Sequence, residues 1–134
     1  MTAQQFEAKM RAIKQKAKEN IKAAITTSAL LVERDAKLNA PVDEGLLRNS
    51  ISHRIIEGNE IYSAEVGTSV FYGPFQEYGT GERGASSGVI APSDYEYGSS
   101  KGIPAQPYLG PALLKNRAKI RNLISKAIRD ALKG

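Results

Sequence analysis

Between Ala3 and Ala40 the chain has neither glycine nor proline, and its apolar residues fall on one helical stripe. Phe6, Met10, Ile13, Ala17, Ile21, Ala24, Ile25, Leu31 and Val32, with Ser28 among them, keep near steps of three and four. That period predicts a single amphipathic helix over residues 1–39, closed by Pro41. At about 1.5 Å per residue it is roughly 45 to 50 Å long. A chain of 134 residues makes one ordinary domain, too small to cover such a helix along its whole length. Part of it is therefore expected to project or to lie against a neighbour.

The elements that follow are short. In APVDEGLLRNSI, residues 40–51, Asp43 is placed to cap a new turn, and Leu46 and Leu47 supply its apolar contacts. ISHRIIE and EIYSAEVGT flank Gly58-Asn59, a two-residue hairpin signal. Ile51, His53 and Ile55 are expected on one face of that hairpin, as are Tyr62, Ala64 and Val66. FYGPFQEYGTG, residues 71–81, then sets four aromatics and three glycines around one proline and one glutamate. Pro74 suits the first turn of a helix and Gly79 its end. The turn should present Phe75 and Tyr78 on one apolar face, with Gln76 and Glu77 pointing elsewhere.

Residues 80–103 contain five glycines and five serines, the composition of a long flexible loop, in which Val89, Ile90, Tyr95 and Tyr97 are the groups able to dock on a surface. Pro104 and Pro107 enforce an extended lead-in, and Pro111 suits the first position of a helix over 111–133. Leu113, Ile120, Leu123, Ile124, Ala127, Ile128 and Leu132 form its expected stripe. The fold class is α+β: a single domain over 1–134 with a long N-terminal helix, a small antiparallel sheet with a long loop, and a C-terminal helix packed on the sheet.

Composition narrows the chemistry. There is no cysteine and one histidine, His53, so disulfides, thiolate chemistry and a multi-histidine metal site are excluded. The usual nucleotide-binding, zinc-hydrolase and serine-hydrolase motifs are absent. We expect no enzyme and no cofactor. No apolar run approaches a membrane span, and the first twenty residues lack the apolar core of a secretory signal, so no membrane partner is expected and the cytoplasm is the expected place of synthesis. The net charge of +5 is unevenly spread: residues 1–40 carry +4, residues 41–110 carry −5 and residues 111–134 carry +6. Basic ends and an acidic middle allow copies of the chain to attract one another. A basic last helix, with Lys115, Arg117, Lys119, Arg121, Lys126 and Arg129, leaves a nucleic-acid-binding module as the alternative function.

Three segments in this order, APVDEGLLRNSI, VGTSVFYGPFQEYGTG (66–81) and IPAQPYLGPAL (103–113), resemble the tail-completion, or head-tail joining, family of long-tailed bacteriophages and prophages. Pro41, Asp43, Gly45, Leu47, Arg48 and Ser50 fit the first family motif. Tyr72, Glu77, Tyr78, Gly79 and Thr80 fit the second, and Pro104, Gln106, Pro107, Tyr108 and Leu109 the third. Glu44, Leu46, Gly73 and Gly110 depart from it. The resemblance implies a structural virion protein, assembled in the bacterial host cytoplasm and placed as a ring at the head-proximal end of the tail. Its implied partners are further copies of itself, the major tail tube protein and a head-completion or neck protein, with DNA passing through unrecognised.

On this basis Tyr72, Phe75 and Tyr78 serve as core or as subunit interface, a choice the residues leave open. Arg48 and Glu77, the charged members of the first two motifs, are expected to pair and lock their turns together.

Overall fold

The structure, a computed structural model, describes residues 1–41 and 45–133. The expected cap at Asp43 lies outside the described residues. In order, the elements are α1 (Ala3–Asn39), α2 (Gly45–Ser50), β1 (Ser52–Gly58), β2 (Ile61–Gly67), α3 (Gly73–Tyr78), α4 (Gly81–Ala85) and α5 (Leu109–Lys133). At 37 residues, α1 is about 55 Å long. It begins at a capping box: the Thr2 hydroxyl accepts from the Gln5 N–H at 3.1 Å, and the Gln5 side chain accepts from the Thr2 N–H at 2.9 Å.

β1 and β2 form a two-stranded antiparallel sheet in which His53 faces Val66, Ile55 faces Ala64 and Glu57 faces Tyr62. Those six residues share a face, as the alternation predicts. The turn differs by one residue. Gly58 pairs with Ile61, so Asn59 and Glu60 form the loop, and Glu60 takes the left-handed conformation at φ 64°. Its carboxylate meets Lys14 at 3.0 Å, and Glu57 meets Lys22, which fastens the hairpin tip to α1.

The sheet packs on α1, and α5 packs along another flank of the same helix. The last helix was expected on the sheet; it faces Ala64 and Val66 only across a groove that Leu113 and Ile120 help to line. It also starts two residues earlier than Pro111 suggests, at Leu109. Its buried positions are Ala112, Asn116, Ala127 and Ala131, while Leu113, Ile128 and Leu132 of the expected stripe remain exposed. On α1 the buried set is equally small and partly polar: Ala24, Ser28, Ala29, Val32, Asp35 and Ala36. Small side chains let two helix backbones approach closely, and bulky neighbours are then pushed to the flanks. Leu46, expected inside, is exposed, whereas Leu47 is fully buried.

Between the helices, the Asn116 amide donates to Asp35 at 2.6 Å and to the Ala112 carbonyl at 2.8 Å. Arg34 approaches the same carboxylate at 3.2 Å and Lys115 at 3.8 Å. The Asn116 hydrogen bond, followed by that from Arg34, holds the Asp35 carboxyl below its ordinary value of 3.8. A carboxyl whose folded value is depressed stabilises the fold above its unfolded value, and that stability is lost as pH falls through the folded one. Urea unfolding of the native chain should therefore weaken between neutral pH and pH 3. Asp35→Asn should shrink that difference, the residual slope belonging to Glu60 and Asp130, which Lys14 and Lys126 depress in the same way. An unchanged slope would show that Asp35 carries no part of it.

Candidate functional site

The three motif segments meet at one place. Leu47 and Ile51 from the first, Tyr108 and Ala112 from the third, and Val32, Ala36 and Ala40 of α1 form the buried core, with Tyr72 and Leu109 packed against it. Each large side chain fully buried there contributes about 1.5 to 3 kcal/mol. The Ser50 hydroxyl meets that of Thr68, which also accepts from the Val70 N–H at 3.0 Å. Tyr108 donates its hydroxyl to the Gly73 carbonyl at 3.0 Å. A side chain at Gly73 would lie 2.5 Å from Thr68 and 3.0 Å from that hydroxyl, so this approach of α3 to the core needs glycine. Burial first, and then the Glu77 charge, push the Tyr108 phenol up to about 12.

Glu77 is the pivot. It is 6% exposed, and its carboxylate accepts from the backbone N–H groups of Tyr108 at 2.7 Å, Leu109 at 3.0 Å and Gly110 at 2.8 Å. The free donors at the start of α5 are thus satisfied by a side chain of another element, at the positive end of the helix dipole. This corrects two expectations. The buried residues of α3 are Gly73 and Glu77, while Phe75 is exposed and Tyr78 half-buried. Arg48 does not pair with Glu77; its guanidinium donates to the Ala40 carbonyl at 3.1 Å, and its Nε is buried without a hydrogen-bond partner among the described residues. The signal was present in sequence, since an acceptor was needed for a helix preceded by Pro107 rather than by a capping side chain, but spacing alone does not say which acidic residue provides it.

Residues 80–103 are tied to the aromatic turn. The N–H groups that open α4, on Gly81, Glu82 and Arg83, donate to the carbonyls of Tyr97, Ser100 and Lys101, and Thr80 exchanges two backbone bonds with Ile103. Tyr78, Tyr95 and Tyr97 stack edge to face with ring centres 5.0 Å apart, and the Tyr95 hydroxyl donates to the Gly79 carbonyl at 2.5 Å. The glycines serve this contact. A side chain on Gly79, at φ 78°, would lie 2.6 Å from Gly84 and from the Ile103 carbonyl, and one on Gly102, at φ 65°, would strike the Thr80 carbonyl. Val89 is half-buried, whereas Ile90 is 94% exposed.

Of the other expected site residues, Pro41 and Gly45 border the undescribed positions, and Pro104 and Gln106 lie exposed along α3, where the Gln106 N–H donates to the Gln76 carbonyl at 2.7 Å. Pro107 is half-buried. Beside this junction, α1, β2, α3 and α5 enclose an apolar groove of about 420 Å³. Sequence reading missed it because it lies between bulky residues that the packing of small ones leaves apart. Among the described residues, no group of acidic or histidine side chains is arranged to hold a metal ion, and no helix is long and apolar enough to cross a membrane.

The junction is built from hydrogen-bonded turns and leaves apolar surface outside it. The profile of the family described as "Bacteriophage HK97-gp10, putative tail-component" matches residues 4–79, more than half of the chain. The chain belongs to this family of phage tail components, which gives it a structural role in the tail, a place in the virion and other virion proteins as partners. No curated protein and no solved structure gives a significant match.

Glu77→Ala should cost about 2 to 4 kcal/mol, because three backbone donors beside a helix dipole lose a charged acceptor. Hydrogen exchange at the amides of Tyr108, Leu109 and Gly110 should rise first, and unchanged protection there would remove Glu77 from this role. Gly102→Ala should separate the loop from α4, read as faster exchange at Gly81 and Glu82 with α1 and α5 unaffected. Retained protection at those two amides would mean that the close contact is dispensable.

Proposed function

We propose that this tail component assembles as a ring at the head-proximal end of the tail, where it completes the tail tube and joins it to the neck of the DNA-filled head. The observation that carries the reading is the convergence of all three motif segments on the Glu77–Tyr108 junction, in a chain belonging to a phage tail family. Its immediate neighbours in this reading are further copies of the chain, the major tail tube protein and a head-completion or neck protein. Phe75 of the aromatic turn, together with Val89 and Ile90, offers apolar contacts to those neighbours, while Tyr72, Tyr78, Tyr95 and Tyr97 brace the same surface from behind. The role is structural rather than enzymatic.

Assembly in the host cytoplasm and passage of DNA without specific recognition follow from the same reading. Glu82, Asp94 and Glu96 are exposed on residues 80–103, where Arg83 and Lys101 are the only bases. A channel surface of that sign repels DNA rather than trapping it. The basic residues of α5 are exposed, and Lys126 pairs with Asp130 at 2.9 Å, as on a solvated helix face.

Light scattering should show a mass that rises with protein concentration and changes with salt, and the protein should sediment with purified tail tubes. A strict monomer at high concentration that also fails to bind tail tubes would overturn the proposal. Salt-dependent DNA binding in a shift assay without tail-tube binding would favour a nucleic-acid module instead.

A further inference from the structure

We infer that two copies of this chain pair edge to edge along β1, antiparallel and about a two-fold axis through Ile55, so that their hairpins form one four-stranded sheet over the two copies of α1. The pairing lies beyond the ring reading and does not depend on it. The two-residue turn is closed by Gly58 and Ile61, which makes that pair a hydrogen-bonded one. By alternation the N–H and C=O groups of His53, Ile55 and Glu57 point away from β2, and they bond to no other group among the described residues. On β2 the corresponding edge borders the groove to α5. On β1 it is open, and Arg54, Ile56, Glu57 and Gly58 are exposed. The seven residues of β1 carry neither proline, lysine nor a bulge, three devices that protect a free edge.

The strand is complementary to itself. Turned about Ile55, SHRIIEG places His53 opposite Glu57 of the second copy, twice over, and Ile55 opposite Ile55. Such polar and β-branched pairs are favoured across antiparallel strands, and no two like charges face each other. On the outer face Arg54 comes opposite Ile56 of the second copy, while its guanidinium keeps Glu65 of its own hairpin at 2.8 Å. In this register 53 with 57, 55 with 55 and 57 with 53 each exchange both backbone bonds, about six new hydrogen bonds in all.

The helix beneath has the same symmetry. His53 meets Glu33 at 3.3 Å and Glu57 meets Lys22, so α1 runs antiparallel to β1, and Ile55 lies above the middle of that interval, at Thr27 and Ser28. Glu19, Lys22, Thr26, Leu30, Glu33 and Lys37 follow one another at steps of three and four, one stripe of α1 on the β1 side. Leu30 is 48% exposed on it. An antiparallel copy turned about the same point brings Glu19 near Lys37, Lys22 near Glu33 and Thr26 near Leu30. Two hairpins joined at their edges stand two strand spacings apart, roughly 10 Å, the packing distance of two helices. Strand and helix thus select the same partner in the same orientation. A two-fold contact closes at two copies, so it covers the open edge of the free chain and leaves a ring to other surfaces.

Hydrogen exchange of the native chain across a dilution series should slow at the amides of His53, Ile55 and Glu57 as concentration rises, while sedimentation reports a dimer over the same range. Glu19→Lys sets like charge against Lys37 and should raise the dissociation midpoint about tenfold, since symmetry reverses two pairs. Lys37→Glu should do the same, and Glu19→Lys/Lys37→Glu should return to the native midpoint, all three with unchanged circular dichroism. Exchange independent of concentration, in a chain that sediments as a monomer, would overturn the pairing. A dimer protected at Tyr62, Ala64 and Val66 instead would place the contact on β2, and a double variant no better than the single ones would remove the two-fold register; either overturns the inference. Sedimentation with tail tubes tests the ring separately: its failure leaves this dimer standing, and loss of the dimer leaves the ring.

Discussion

Much of the fold depends on where the donors at the start of α5 find an acceptor. Helix α5 is entered from an extended, proline-containing segment, and its first N–H groups point into a partly buried junction. Leaving them unsatisfied would cost more than most single contacts in the protein contribute. The Glu77 carboxylate answers three of them, and its geometry brings α3 against residues 104–110. Gly73 and Tyr108 can then meet, and Tyr108 completes the core that Leu47, Ile51 and Ala112 share with α1. A charged residue inside is thus the condition for the apolar core beside it.

The same economy of position explains what lies outside. α1 and α5 bury alanines, a serine and the Asp35–Asn116 pair. Close backbone approach and one hydrogen-bonded polar pair fix their register, but a seam of small residues cannot also enclose Leu30, Leu38, Leu113, Leu114 and Leu132, which remain exposed. A monomer seldom leaves so much large apolar surface uncovered without use for it. In a tail component such residues are available to other virion proteins.

The parts of the fold legible in sequence were those set by local periodicity. The stripe from Phe6 to Val32 marked α1, alternation marked the hairpin face, and Pro74 with Gly79 bounded α3. What failed depended on non-local partners. Glu77 was expected outside and paired with Arg48, because side-chain charge was read without the backbone donors that would compete for it. The glycines of 80–103 read as freedom, yet Gly81, Gly84 and Gly102 are places where two backbones touch. Composition cannot separate these uses, since in both the side chain is absent for lack of room or for lack of need. Leu113 and Ile128 were assigned to the core because hydrophobicity favoured them over Asn116, whose worth appears only once Asp35 is opposite.

The charge pattern has a consequence that only the folded chain makes visible. The basic first helix and the acidic middle first satisfy each other within the subunit: Lys14 meets Glu60 and Lys22 meets Glu57 on the hairpin. These pairs are solvent-exposed on at least one side and add little stability individually. Their effect is directional, since they use the hairpin's acids along the middle of α1 and leave Lys9 and Arg11, nearer its start, beyond that reach. The exposed acids of 80–103 are likewise not met by the chain's own first turns. Charge of opposite sign thus stays exposed at two separate places, on the least covered part of the long helix and beside the aromatic turn, instead of being spread evenly over the surface.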